Sequence, residues 1–174
     1  MQLAITVLGN KSNGFIAEIL SALSACQCTV VELRTSNLTQ ITAAYLLIAG
    51  NWNHIAKLEG MLEAIKIRFE IQMTFLRPDE TLPVLEGVPY TLETISMDKN
   101  DVLFAVTSFL LDRDICIEEV TASRYQAAFF NTPVFSTKYV LLVPPEVRIL
   151  SLREEFLDFC DSMNIDAILE PIKR

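Results

Sequence analysis

The sequence predicts an α+β chain of two tandem βαββαβ units, each an antiparallel four-stranded sheet with its helices on one face. Three observations predict it. The apolar pattern of the first half returns in the second, runs of period two alternate with runs of period three to four, and a proline-rich stretch divides the 174 residues near the middle. Sliding the chain by 87 residues sets Phe15, Ile16, Ile19 and Leu23 on Val102, Leu103, Val106 and Leu110. The same shift sets Val30, Glu32 and Leu33 on Ile117, Glu119 and Val120. Further along the shift is 94: Tyr45 to Ile48 meet Tyr139 to Leu142, and Ile55, Leu58 and Leu62 meet Ile149, Leu152 and Phe156. The difference of 7 is expected as an insertion between the second and third strands of the second unit.

Each element has its own signal. Leu3, Ile5 and Val7 alternate with Ala4 and Thr6 as a first strand. Phe15, Ile16, Ile19, Leu20 and Leu23 recur at helical spacing. Residues 28–37 and 41–49 are rich in β-formers, with a turn at 36–40. Gly50-Asn51-Trp52-Asn53 breaks the third strand and supplies a capping Asn for a helix through Ile55, Leu58, Leu62 and Ile65. Trp52 is expected there as an apolar clamp on the entering chain. Ile67, Phe69, Ile71, Met73 and Phe75 alternate with Arg68, Glu70, Gln72 and Thr74, which predicts a half-buried fourth strand. Pro78, Pro83 and Gly87 make 78–87 a linker between domains 1–77 and 88–174. The second unit then runs strand 88–97, helix 102–113, strands 115–124 and 134–143, helix 146–163 and strand 165–172.

Composition narrows the function classes. No apolar run approaches the ~18 residues of a membrane span, and the opening Met1 to Leu8 has no basic signal-peptide start, so a cytoplasmic protein is expected. Residues 1–80 carry 6 Lys/Arg against 7 Asp/Glu, and residues 81–174 carry 8 against 15. That balance opposes direct contact with a phosphate backbone. Cys26, Cys28, Cys116 and Cys160 sit among apolar neighbours as packing thiols. His54 is the only histidine, and no phosphate-cradling, nucleophile-elbow or paired-carboxylate motif is present. Neither a catalytic residue, a metal site nor a cofactor is expected.

Two stretches remain as candidate sites. Gly9 and Gly14 bound a polar turn between the first strand and the first helix. Such a helix start, with free N–H groups beside a glycine, is a cradle for a small anion. Its contacts would come from Asn10, Lys11, Ser12, Asn13, Gly14 and Phe15, with Lys11 favouring a carboxylate. The other reading is that Ser12 or Asn13 caps the helix and nothing binds. The second stretch is 124–135, where Tyr125, Phe129, Phe130 and Phe135 crowd a turn region. Tyr125, Phe129 and Phe130 are candidates for a partner surface, unless the hairpin folds back on its own sheet or on the first unit. The acidic runs Asp112 to Asp114, Glu118-Glu119 and Glu154 to Asp161 form a solvated face, or meet a basic surface on a partner.

A βαββαβ unit with a polar glycine turn after its first strand resembles the ACT domain, a regulatory module that often binds amino acids. Ile5-Thr6-Val7-Leu8-Gly9 with Gly14-Phe15-Ile16, the stretch Leu46 to Asn53 with Leu58-Glu59, and Cys26-Gln27-Cys28 are similar to the glycine cleavage system transcriptional repressor family. Members of that family carry two ferredoxin-like ACT units in tandem, expected here packed or paired sheet to sheet. Their turn reads Gly-x-Asp-x-Pro-Gly, where this chain has Lys11 and Asn13 at the Asp and Pro positions; the second turn, Ser96 to Asp101, ends on an aspartate. The resemblance implies a non-enzymatic regulator of glycine cleavage genes that senses glycine and acts through a DNA-binding activator of LysR type. Homo-oligomers are compatible with it. Two other expectations stay open: an ACT-type amino-acid-binding module regulating a metabolic enzyme, and a pure interaction protein with no ligand.

Overall fold

The computed structural model describes residues 1–10, 14–78, 86–97, 101–126 and 132–172. Its elements run β1 (Gln2–Asn10), α1 (Gly14–Ala25), β2 (Thr29–Leu38), β3 (Ile41–Ala49), α2 (Trp52–Phe69) and β4 (Gln72–Leu76). They continue with β5 (Val88–Met97), α3 (Val102–Leu111), β6 (Cys116–Gln126), β7 (Pro133–Val143), α4 (Ile149–Met163) and β8 (Ile165–Pro171). The chain forms two compact units, with antiparallel sheets of order β2-β3-β1-β4 and β6-β7-β5-β8. Each is a ferredoxin-like α+β unit, as the sequence predicts. Residues 79–85 of the expected linker lie outside the described residues.

In the first unit, period-two alternation sends Leu3, Ile5 and Val7 of β1 to one face, opposite Ile48, Leu46 and Ala44 of β3. On that face lie Phe15, Ile19, Ala22 and Leu23 of α1 and Ile55, Leu58, Leu62 and Ile65 of α2, all buried. Helix α2 starts where Asn51 accepts the His54 N–H at 2.8 Å. The second unit repeats the arrangement with Leu92, Tyr139, Leu141, Val106, Phe109, Leu152 and Phe156. There the ring of Phe109 meets Phe156 edge-on at 5.2 Å and Phe159 at 4.9 Å.

Internal symmetry reaches the backbone. Helices α2 and α4 each stop at a left-handed residue, Glu70 and Asn164, both with φ of 53°. After α1 and α3, Gln27 (φ 53°) and Asp114 (φ 56°) do the same, with Cys28 N–H and Ile115 N–H closing back on Leu23 and Leu110 carbonyls. The β2–β3 register skips between Val30 and Glu32, and the β6–β7 register between Ile117 and Glu119. A bulge thus recurs 87 residues later.

The structure corrects four sequence expectations. The alternation from Ile67 begins inside α2, which runs to Phe69; the left-handed turn at Glu70 separates it from β4. Ile67 is accordingly exposed in the last turn of α2, and with Lys66 and Arg68 beside it that turn has the period-two look of a strand. Trp52 clamps nothing: it is 68% exposed on the first turn of α2. Tyr45 and Tyr139 are not equivalent, since Tyr45 is half-exposed on the sheet face away from the helices and Tyr139 is buried beneath them. Ile5 pairs with Leu46 and Leu92 with Tyr139, so the shift through the third strands is 93. Six of the seven extra residues therefore fall between β6 and β7, and one between β7 and α4.

Candidate ligand turn

Strand β1 delivers Asn10 to the surface, and α1 opens on Gly14, also exposed. Lys11, Ser12 and Asn13 lie outside the described residues. No acidic residue occupies the first turn of α1, so the partial positive charge of its N-terminus is not neutralised from within the helix. Phe15 points the other way. It is 1% exposed and belongs to the core.

The packing around Phe15 explains Gly9. A Cβ there would stand 2.6 Å from Ile71 Cγ2 and 2.9 Å from Phe15 Cε1. Glycine is required because those two side chains close over the end of β1. Sequence reasoning read Gly9 as the edge of a ligand cradle, and its contact with Ile71, 62 residues away, was hidden from it.

At the corresponding place in the second unit, Ser96 replaces Gly9, Val102 replaces Phe15 and Ile165 replaces Ile71. Val102 is 0% exposed and Ser96 4%. A valine in place of the phenylalanine ring leaves space for the serine side chain, whose Oγ has no hydrogen-bond partner among the described residues. Helix α3 follows Asp101, which is exposed and makes no capping bond through its side chain. A carboxylate at this N-cap disfavours an anion at the same helix start, since like charges at ~4 Å repel by about 1–4 kcal/mol. The two turns are equivalent in topology and opposite in charge.

The other sequence candidates separate. Tyr125 is half-exposed near the end of β6, opposite Val134, on the sheet face away from the helices. Phe135 packs against the core of its own unit, and Phe129 and Phe130 lie outside the described residues. A cavity of about 260 Å³ between α1 and α2 is spanned by the Arg68–Glu18 ion pair at 2.6 Å, away from the turn. All four cysteines are free thiols. Burial, and then Asp161, push the Cys160 thiol up to about 11, and burial followed by Cys26 raises Cys28. Neither has the depressed pKa of a nucleophile. Among the described residues no three His, Cys, Asp or Glu side chains come together as a metal site. No described helix is long and apolar enough to cross a membrane.

Residues 1–76 match the ACT domain. The match closes with β4, so it spans the whole first ACT unit. The second unit is tied to it by the same element order and strand order, and the fold is a tandem of ACT units. Among solved structures the chain is similar to a candidate glycine cleavage system transcriptional repressor, with a TM-score of 0.77 at 20% identity. That likeness covers 99% of this chain and 98% of the other. A protein of unknown role from Galdieria sulphuraria gives a TM-score of 0.82 at 19% identity, covering 99% and 98%. These likenesses establish the architecture over both units. Among curated protein sequences nothing matches.

Proposed function

We propose that the chain is a non-enzymatic regulator that represses glycine cleavage genes, sensing glycine at the β1–α1 turn of its first unit. The observation that carries the reading is the asymmetry of the two turns. Neither helix has an acid in its first turn, but α1 opens on Gly14 whereas α3 opens behind the Asp101 carboxylate. A zwitterionic amino acid would lay its carboxylate on the α1 start, held by backbone N–H groups near Gly14 and by Lys11, with Asn10, Ser12 and Asn13 around it. Phe15 would serve that site from below, by fixing the end of β1.

The formal charge of −8 supports an indirect route to DNA. A regulator with this balance lacks the cationic face that phosphate contact needs, and a DNA-binding activator of LysR type would supply it. A ligand can change repression only through different affinities for the partner-free and partner-bound states.

The test is thermal unfolding with a panel of amino acids, comparing the natural chain with Gly14→Leu. Ligand at a hundred times its dissociation constant adds ~2.7 kcal/mol, a rise of roughly 5–10 °C for a chain of this size. The expected result is a glycine-selective rise that the variant loses. No rise with any amino acid would leave the turn as a helix start alone and favour the interaction protein without a ligand.

A further inference from the structure

The outward face of α3 is apolar where the fold does not ask for it. Its sequence, VLFAVTSFLL, contains no charged residue. Val102, Val106, Phe109 and Leu110 are buried against the sheet, as a one-sided helix requires. Yet Phe104 is 76% exposed and Leu111 56%. They are seven residues apart, two turns along one side, with only Thr107 and Ser108 between them on that side.

The first unit supplies the control. Shifted by 87 residues, Phe104 and Leu111 correspond to Ala17 and Ser24 of α1, both exposed. The same fold is thus completed with a methyl and a hydroxymethyl at these places. The gain from burying a large apolar side chain is not realised at Phe104 and Leu111 within the second unit. Single exposed apolar residues such as Trp52 and Ile67 are ordinary, but two large ones aligned along one face of an uncharged helix form a stripe suited to a contact.

The rim identifies the chemistry of the occupant. Asp101 lies one turn before Phe104, and Asp112 and Asp114 follow Leu111; all three are exposed. The neighbouring cation among the described residues, Arg113, is already engaged. Its guanidinium binds Glu155 at 2.9 and 3.0 Å, donates to the Phe109 carbonyl at 3.1 Å and lies 3.7 Å from the Phe109 ring. An apolar stripe with acid at both ends and its arginine turned inward complements apolar side chains flanked by Lys or Arg.

We infer that the α3 face from Phe104 to Leu111 docks a basic amphipathic helix of a protein partner. The inference rests on the reading of the chain as a regulator acting through another protein, and it does not need a ligand at the first turn.

Fluorescence anisotropy of a labelled synthetic helix of Leu and Lys, against the same peptide with Glu for Lys, tests it on the full chain. The Lys peptide is expected to bind and the Glu peptide not. Phe104→Ala with Leu111→Ser, the residues of the first unit, should weaken binding about tenfold or more at unchanged melting temperature. Asp112→Asn with Asp114→Asn should weaken it too and flatten its salt dependence. Equal binding of both peptides, or binding indifferent to the apolar pair, would overturn the inference. So would a lower melting temperature or a changed oligomeric state in the Phe104/Leu111 variant, since the face would then be covered by this chain or by a second copy. Peptide binding and the amino-acid thermal response are separate readouts, so failure of one is distinguishable from failure of the other.

Discussion

The first unit closes the end of its first strand with a glycine beneath a phenylalanine, and the second with a serine beneath a valine. Both pairs are at equivalent positions, and Phe15, Ser96 and Val102 are buried. What differs is what each leaves at the helix start, Gly14 in one and the Asp101 carboxylate in the other. Outside, the relation reverses: α1 offers Ala17 and Ser24 to solvent, and α3 offers Phe104 and Leu111. The comparison teaches that one fold can be satisfied twice with different surfaces, so the surfaces are where the units specialise.

The largest expected effect comes from breaking the Gly9 packing. Gly9→Val places side-chain atoms within the contacts already made by Ile71 and Phe15, and urea unfolding should register a loss of roughly 1–3 kcal/mol or more. Importing the other unit's solution sharpens the point. Gly9→Ser combined with Phe15→Val should cost less than the two single changes added together, by about 1 kcal/mol, because the residues touch. Strict additivity would mean that the two units do not solve this position in the same way.

A second asymmetry lies in the cores. Thr94 and Thr137 hydroxyls meet at 2.6 Å in the second unit, both buried, where the first unit has Val7 and Ala44. Beside them the Tyr139 hydroxyl lies 3.2 Å from that of Thr107. Thr137→Val strands the Thr94 hydroxyl and should cost about 1–3 kcal/mol in denaturant. Changing both, Thr94→Val with Thr137→Ala as in the first unit, should recover part of that loss. If the double variant is worse than the single, the pair is not an isolated hydrogen bond.

The fold was legible because period-two and helical patterns survive at low identity, and because both units repeat them. Its weak places were physical. The end of α2 mimicked a strand through Ile67 and Phe69, and only the left-handed turn at Glu70 marks the boundary. Tyr45 aligned with Tyr139 because residue type was matched without the sheet register, which places them on opposite faces. At the candidate site the strand end at Asn10 and the helix start at Gly14 were legible. The inward turn of Phe15 and the reason for Gly9 depend on Ile71, far along the chain, and no local spacing encodes that contact. Phe104 was legible as an apolar residue, but its exposure was not, since nothing in VLFAVTSFLL separates one side of the helix from the other by polarity.

The smallest expected effect is on pH dependence. Cys160 of α4 is 1% exposed, and its thiol is raised from 9.0 to about 11. The folded state therefore keeps the proton longer than the unfolded one. The contribution is fully present below pH 9.0 and is lost as pH rises from there through about 11. Cys160→Ala should flatten that part of an unfolding curve measured against pH. An unchanged alkaline slope in Cys160→Ala would assign the loss to other groups.

The central claim is that only the first unit senses an amino acid, and amide hydrogen exchange with saturating glycine tests it most directly. Slowed exchange is expected from Asn10 into the first turn of α1, with no change at the start of α3 beyond Asp101. Protection at α3 instead, or none at either helix start, would contradict it.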